Sequence, residues 1–458
     1  MVGQSVLDRF IQQAPLCVMA RATLEKVFAP QRLDALFQRT AVRQYERELL
    51  FSTVVDLMSL VVCRVTPSVH RAYQQKKAQI PVSIRALYDK LGHIEPATSR
   101  ELVRQTASEM AELIRTLPAM AAPLLPGYRV KILDGNHLEG TEHRLKPLRT
   151  QGGGALPGQC VVLLDPQLRM ILDVIPDLDA YTQECRLCLP LLEGIEPKDV
   201  VIDDRNFCTS ELLFGLARHA AFFITRQHRG RLRWEVTGKA KSLGRGDSGR
   251  LTEEPVRLTD PTTGEVLPVR RITIELDEPT RDHDSTLHLL TNLPASEVTA
   301  AQVAELYRER WTIETAFQEL TTHLRCELNT LGYPPAALFG FCTAVACYNV
   351  LAVVQAALAS AHGQEFVDEQ FSHWRMSDEL SRTYVGMMIA IPADQWEQYG
   401  TLPTEALSRQ LHVWAQSVDV IRYRKSIRGP KTRTKRPAAR AQHFSTDRLL
   451  KQRRSNTG

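Results

Sequence analysis

The sequence lacks a basic start running into an apolar stretch: Met1 to Ala20 carries Asp8 and Arg9 inside a helix-like pattern. No secretory leader is expected from it, and the expected compartment is the cytoplasm. A cysteine framework is lacking as well. Nine cysteines are scattered through 458 residues, and an odd number argues against a disulfide-stapled secreted fold. Cys185 and Cys188 form one Cys-x2-Cys, but no second ligand pair stands at zinc-ribbon spacing, so a closed four-ligand zinc site is not expected. Gly152-Gly-Gly154 lacks the Gly-Lys-Ser/Thr of a phosphate loop and reads as a plain loop. Internal repeats are absent. The most apolar stretch, Leu338 to Val354, contains Asn349 and has no flanking basic cluster. It reads as a buried helix, the alternative being a membrane span that would need detergent for extraction.

Acidic residues are scarce at the two ends. From Ile421 to Gly458 thirteen Lys/Arg face the single acid Asp447, and residues 1–120 hold sixteen Lys/Arg against eleven Asp/Glu. Since the whole chain is only +5, the middle, 121–420, is net acidic. Basic ends suit a partner of negative charge, and an acidic centre suits bound cations. With 43% hydrophobic and 24% charged residues, the composition is that of a globular protein, long enough for several structural units.

Residues 1–120 read as helices, from apolar spacings such as Leu33–Leu36–Phe37 and Val54–Leu57–Leu60–Val61. Ser83 to Leu91 and Thr98 to Ile114 flank a turn, with Thr98 or Ser99 as the expected N-cap. That pair is either a helix-turn-helix DNA reader or an ordinary helical hairpin. From Tyr128 the pattern turns to strands: Val130 to Asp134, Val161 to Leu164 and Arg169 to Ile175, the last two joined by the turn Asp165-Pro-Gln. Asp199 to Asp203 is a further strand, Glu211 to Arg218 a helix and Ala221 to Thr225 a strand, which together make a mixed α/β sheet. Gly/Asp/Pro turns and alternating segments then mark a β-rich insertion over 227–299. One helix is expected from Ala300 to Leu324, followed by apolar helices to Ala361.

Asp134 and Asp204 each end an apolar strand, where side chains of neighbouring strands project into one crevice. Two metal ions about 4 Å apart need several hard oxygen ligands, and carboxylates supply both the oxygens and the charge. Asp203 points the other way along its strand if the strand extends that far. Asp165 belongs to a turn and Asp173 lies mid-strand. On the helix from Ala300, Tyr307, Arg310, Glu314, Gln318 and Thr321 fall within an arc of about 80°, beside the apolar stripe Leu306, Ile313, Phe317, Leu320 and Leu324. Glu314 would complete three carboxylates, with Arg310 and Tyr307 holding a phosphate backbone; spacing alone fits a solvated amphipathic helix equally well.

Tyr307-Arg-Glu-Arg310-Trp-Thr-Ile-Glu314-Thr-Ala-Phe317-Gln-Glu-Leu320, with Leu290-Thr-Asn-Leu-Pro294 before it, resembles the signature Tyr-x2-Arg-x3-Glu-x6-Lys. That is the signature of DDE transposases in the insertion sequence four family. Asp134-Gly and Asp204-Arg-Asn-Phe207 resemble its two aspartate motifs, and Leu156-Pro-Gly158 is also similar. The resemblance spans roughly residues 125–345. It departs at Thr321, where the signature has Lys.

The resemblance implies an RNase H-like core over 121–226 and 300–362, interrupted by the insertion. A helical DNA-end-binding region would occupy 1–120, with a helical segment at 363–420 and a basic, disordered tail at 421–458. It further implies Asp134, Asp204 and Glu314 holding two Mg²⁺ ions (Mn²⁺ substituting), with cleavage at transposon ends and strand transfer into target DNA. The expected partners are double-stranded terminal inverted repeats and target DNA, bridged by a homodimer beside the nucleoid. Tyr307, Arg310, Arg205 and Thr321 are expected at the DNA. Within the insertion, Arg231-Leu-Arg233-Trp234 is a basic–aromatic cluster, and Arg226, Arg229, Arg231 and Arg233 would line the DNA path. Trp234 would serve either to stack a flipped base or to pack a strand. His137 is a candidate for hydrogen bonding near the acids. Two rival readings are a metal-dependent nuclease without strand transfer and an inactive DNA-binding protein derived from a transposase.

Overall fold

The computed structural model describes residues 5–44, 48–138, 145, 155–228, 230–280, 283–328, 330–426 and 444–456. The Gly152–Gly154 loop, Arg229 and, of the basic tail, residues 427–443 and 457–458 lie outside them. The N-terminal part is helical: α1 (Val6–Gln13), α2 (Pro15–Val27), α3 (Pro30–Thr40), α4 (Phe51–Val62), α5 (Val69–Gln75), α6 (Ile84–Leu91) and α7 (Pro96–Arg115). Local signals start most of them. Ser5 and Asp8 form a reciprocal capping box, Ser68 and Ser83 cap α5 and α6, and α2, α3 and α7 each begin on proline. The proline moves the start of α7 ahead of the expected cap, so Thr98 and Ser99 are buried inside the helix. Arg100 pairs with Asp173 at 2.9 Å, which ties α7 down onto the strand below it. Ten of the twenty residues of α7 are buried, so this helix packs along much of its length within the protein.

The strands are β1 (Arg129–His137), β2 (Ala155–Leu156), β3 (Gln159–Asp165), β4 (Met170–Asp177), β5 (Asp199–Asp203), β6 (Phe222–Arg226), β7 (Arg233–Val236), β8 (Lys241–Gly246), β9 (Gly249–Thr259), β10 (Val266–Leu276) and β11 (Thr286–Thr291). Helices α8 (Glu184–Leu187) and α9 (Ser210–Arg218) fall between β4 and β6. Ten strands form one sheet in the order β4-β3-β1-β5-β6-β11-β10-β9-β7, with β8 also on β9. β4, β3 and β1 are antiparallel, β1, β5 and β6 are parallel, and the insertion joins antiparallel through β11 on β6. The β-rich insertion therefore continues the central sheet.

Alternation along the strands splits the interior into two cores. Ile132, Val162 and Ile202 face the larger, which they share with the N-terminal helices; Leu133, Val161, Val201 and Phe223 face the smaller, under α9. The larger core is centred on α12 (Pro334–His362), whose most apolar 18-residue window has mean hydropathy 2.0 and is wholly buried. Asn349, the polar residue in that run, accepts from the Ile171 N–H at 2.9 Å and donates to its carbonyl at 2.8 Å. Its amide thus satisfies the open edge of β4. The Leu-Pro-Gly turn has a packing reason too: a Cβ at Gly158 would collide with the Asp177 carbonyl and Leu338.

The helix expected over 300–324 is broken into α10 (Ala300–Arg308) and α11 (Trp311–His323). Glu309 and Arg310 close α10 with bonds to Leu306 and Tyr307, three residues back, and α11 then starts afresh. Beyond α12 come α13 (His373–Ala390), α14 (Asp394–Thr401) and α15 (Thr404–Gln416). The described parts of the tail, 421–426 and 444–456, depart from the disorder expected of it. Tyr423 is buried, β12 (Phe444–Ser445) pairs with β2, and α16 (Thr446–Asn456) is anchored by Arg448 on Asp179 at 2.7 Å.

Candidate active site

The sheet register sets the first two acids side by side. Ile132 of β1 pairs with Ile202 of β5, the last pair of that parallel ladder, and Asp134 and Asp204 each follow two residues later with their carboxylates repelling one another. By alternation both share the face of Ile132 and Ile202, the side on which α11 lies. Backbone amides hold each carboxylate: Gly135 N–H donates to Asp134 at 2.9 Å, and Asn206 N–H donates to Asp204 at 2.7 Å. Asp204 caps the short turn Arg205–Phe207 and remains partly exposed. Asp203 is fully buried, takes the Thr225 hydroxyl at 3.0 Å and leaves its other oxygen without a partner. Burial drives its carboxyl far up, with Asp204 and Asp134 adding repulsion.

Glu314 comes to this edge from the first turn of α11, its side chain 45% exposed. Between the acids lies Arg310, which reaches Asp134 at 3.4 Å and Glu314 at 3.3 Å. Arg310 stands at the break between α10 and α11, one turn before Glu314. Arg310 is thus a bridge between two acids in this structure. Its guanidinium also lies 4.7 Å from the centre of the Trp311 ring. Tyr307 is buried beside this cluster, within electrostatic reach of Arg310, Asp204 and Asp203, and burial raises its phenol to about 12.

The electrostatics are those of crowded acids. Burial pushes the Asp134 carboxyl up to about 7 against the pull of Arg310, with Asp204 and then Glu184 adding to the rise. Glu184, the first residue of α8, is an acid that sequence reasoning missed. Its carboxyl is itself raised, by burial first and by Asp204, and is eased by His137. No spacing could have revealed it, because the contact depends on how α8 folds back under β1. Among the described residues, no three acidic, histidine or cysteine side chains are already arranged to hold an ion. The cation standing among these acids is the guanidinium of Arg310.

The basic candidates divide. Arg231 donates to the Asn206 carbonyl at 2.6 Å, beside Asp204. Arg205 and Arg233 are exposed. Arg226 is paired with Asp284 at 2.5 Å. Trp234 stands on β7, 37% exposed, with Arg271 5.1 Å from its ring centre. Thr321 donates its hydroxyl to the Phe317 and Gln318 carbonyls at 3.0 Å, while Arg64 reaches the Thr321 carbonyl at 3.1 Å. Cys185 and Cys188 are free, the latter buried.

A mixed sheet flanked by helices, with acids gathered at one strand edge, defines an α/β protein consistent with an RNase H-like core. Residues 125–350 match the family model of the transposase DDE domain, which supports a DDE transposase and so a nucleotidyl-transfer enzyme acting on DNA. The match covers β1 through the first half of α12, hence Asp134, Asp204 and Glu314 alike. Comparison with curated proteins gives no match.

Proposed function

We propose that the chain is a cut-and-paste DNA transposase of the insertion sequence four type, with Asp134, Asp204 and Glu314 as ligands of two Mg²⁺ ions, Mn²⁺ substituting. The observation that carries this reading is Arg310 spanning Asp134 and Glu314, with the Asp204 carboxylate close by: a cation already stands among the acids. Carboxylate oxygens are the hard donors that Mg²⁺ takes, so the residues fit the ions. Bound there, the ions would activate the attacking oxygen and stabilise the departing one.

Asp134 and Asp204, fixed by strand register and backbone amides, orient the site. Glu314 closes it from α11. Arg310 must withdraw from the acids as ions enter, and its planar fork then suits the scissile phosphate. Arg205, Arg231 and Arg233 steer the DNA backbone toward the acids, and Trp234 offers its exposed ring surface to a displaced base. The substrates are terminal inverted repeats and target DNA, with two copies of the chain bridging two ends in the cytoplasm and no membrane involved.

Thr321 favours a second reading. Its hydroxyl is spent on its own helix, so it offers no charge where the signature has Lys, and an inactive DNA-binding derivative would look the same here. Labelled end DNA incubated with plasmid and Mg²⁺ separates the readings. Covalent joining is expected. Cleavage without joining would mark a nuclease, and binding without cleavage would mark the inactive derivative.

A further inference from the structure

Glu184 occupies a place that nothing in the three-acid reading requires. It is half-buried at the start of α8, and it touches the residue after Asp134 and a residue just past Asp204. On one side, a Cβ built on Gly135 would overlap the Glu184 carboxyl. The missing side chain of Gly135 is what lets this carboxyl approach the end of β1. On the other side, the Asn206 side chain lies near the same carboxyl and draws it down. Glu184 therefore sits between β1 at Gly135 and the turn that follows β5, beside Asp134 and Asp204.

A bland role exists for this residue, as the acceptor for Asn206 that steadies the turn after Asp204. That role needs an oxygen and no charge. A third carboxylate beside two others is costly in a partly buried crevice, because like charges oppose one another with little solvent between them. Arg310 reaches Asp134 and Glu314; the favourable charge beside Glu184 is His137, at the exposed end of β1. Two divalent ions bring four positive charges, which three carboxylates leave incompletely balanced and a fourth balances.

We propose that Glu184 is a fourth carboxylate of the metal centre, reaching the ion on the Asp134–Asp204 side through the gap left by Gly135. This rests on the reading of Asp134 and Asp204 as metal ligands given above.

The test is Mn²⁺ binding to the full-length protein without DNA, followed by calorimetry and by the electron paramagnetic resonance signal of free Mn²⁺. Glu184→Gln keeps the shape and the acceptor for Asn206 and removes only the charge. It should weaken Mn²⁺ binding about tenfold or more, or remove one bound ion, with unchanged circular dichroism. Gly135→Ala keeps every charge and displaces the Glu184 carboxyl, and should weaken binding in the same direction; it also decides the matter if Glu184→Gln misfolds. A folded Glu184→Gln protein that binds Mn²⁺ like the wild type, while Asp134→Asn loses it, overturns the role of Glu184 and leaves the three-acid reading standing. A wild-type protein that binds no Mn²⁺ overturns both.

Discussion

The two sides of the acid cluster are built differently. Asp134 stands on β1 and Asp204 directly after β5, its parallel neighbour, each held by a backbone N–H at 2.9 and 2.7 Å. Glu314 stands on a helix that follows a break, is 45% exposed, and is tied to the others through one 3.3 Å contact from Arg310. An exposed i, i+4 pair of that kind contributes only a few tenths of a kcal/mol. The strand side is thus rigid and the helix side adjustable, which suits a site that must admit ions and a DNA strand before it closes.

The largest effect should come from the rigid side. Asp204→Asn keeps the cap on the following turn while removing a ligand charge, and should lower Mg²⁺-dependent end cleavage by about 10³-fold, since metal stabilisation is worth several kcal/mol. Normal cleavage by this variant in a gel assay would remove Asp204 from the site. On the adjustable side, Arg310→Ala should split two readouts. Cleavage should fall by about 10²-fold through loss of phosphate contact, while Mn²⁺ should bind the DNA-free protein several-fold more tightly, because the competing guanidinium is gone. Weaker Mn²⁺ binding would instead make Arg310 an organiser of the acids. At the far end of α11, Thr321→Lys should add about one unit to the salt dependence of end-DNA binding, and Arg64→Ala should remove about one. Slopes that do not move would place the DNA elsewhere.

The same contrast governs what could be read from the chain. The strand side was legible because its signals are local: apolar runs that stop at an acid, a turn at Asp165-Pro-Gln, glycines after Asp134 and before β3. Alternation even separates Asp204 from Asp203, which goes to the smaller core beside Cys188 and Cys208. The helix side was half legible. Residues Ala300 to Leu324 carry helical periodicity throughout, and no glycine or proline marks the break at Glu309–Arg310. Tertiary contact with Asp134, 176 positions away in sequence, accompanies that break. Glu184 was invisible, its contacts being made across chain reversals that no local pattern encodes. The docking of α16 was hidden by composition, because a basic segment looks unstructured until Asp179 is set opposite Arg448.

The smallest expected effect probes how crowded the rigid side is without metal. Burial, aided by Asp204 and Glu184, holds Asp134 up to about 7 in the folded protein, despite Arg310, whereas an unfolded aspartate titrates near 3.9. Between those values the folded state keeps a proton that the unfolded state has released. Linkage then makes stability fall as pH rises through that window and level off above it. Asp134→Asn has no proton to lose. In EDTA, the melting temperature of Asp134→Asn relative to wild type should therefore climb from pH 4 to pH 7, by about 1 °C for each kcal/mol relieved in a chain of this length, and stay level beyond. A difference that is flat across this range, or that falls, would mean that Arg310 already neutralises the site. The acids would then be satisfied without an ion, and the adjustable side would be doing the work here assigned to metal.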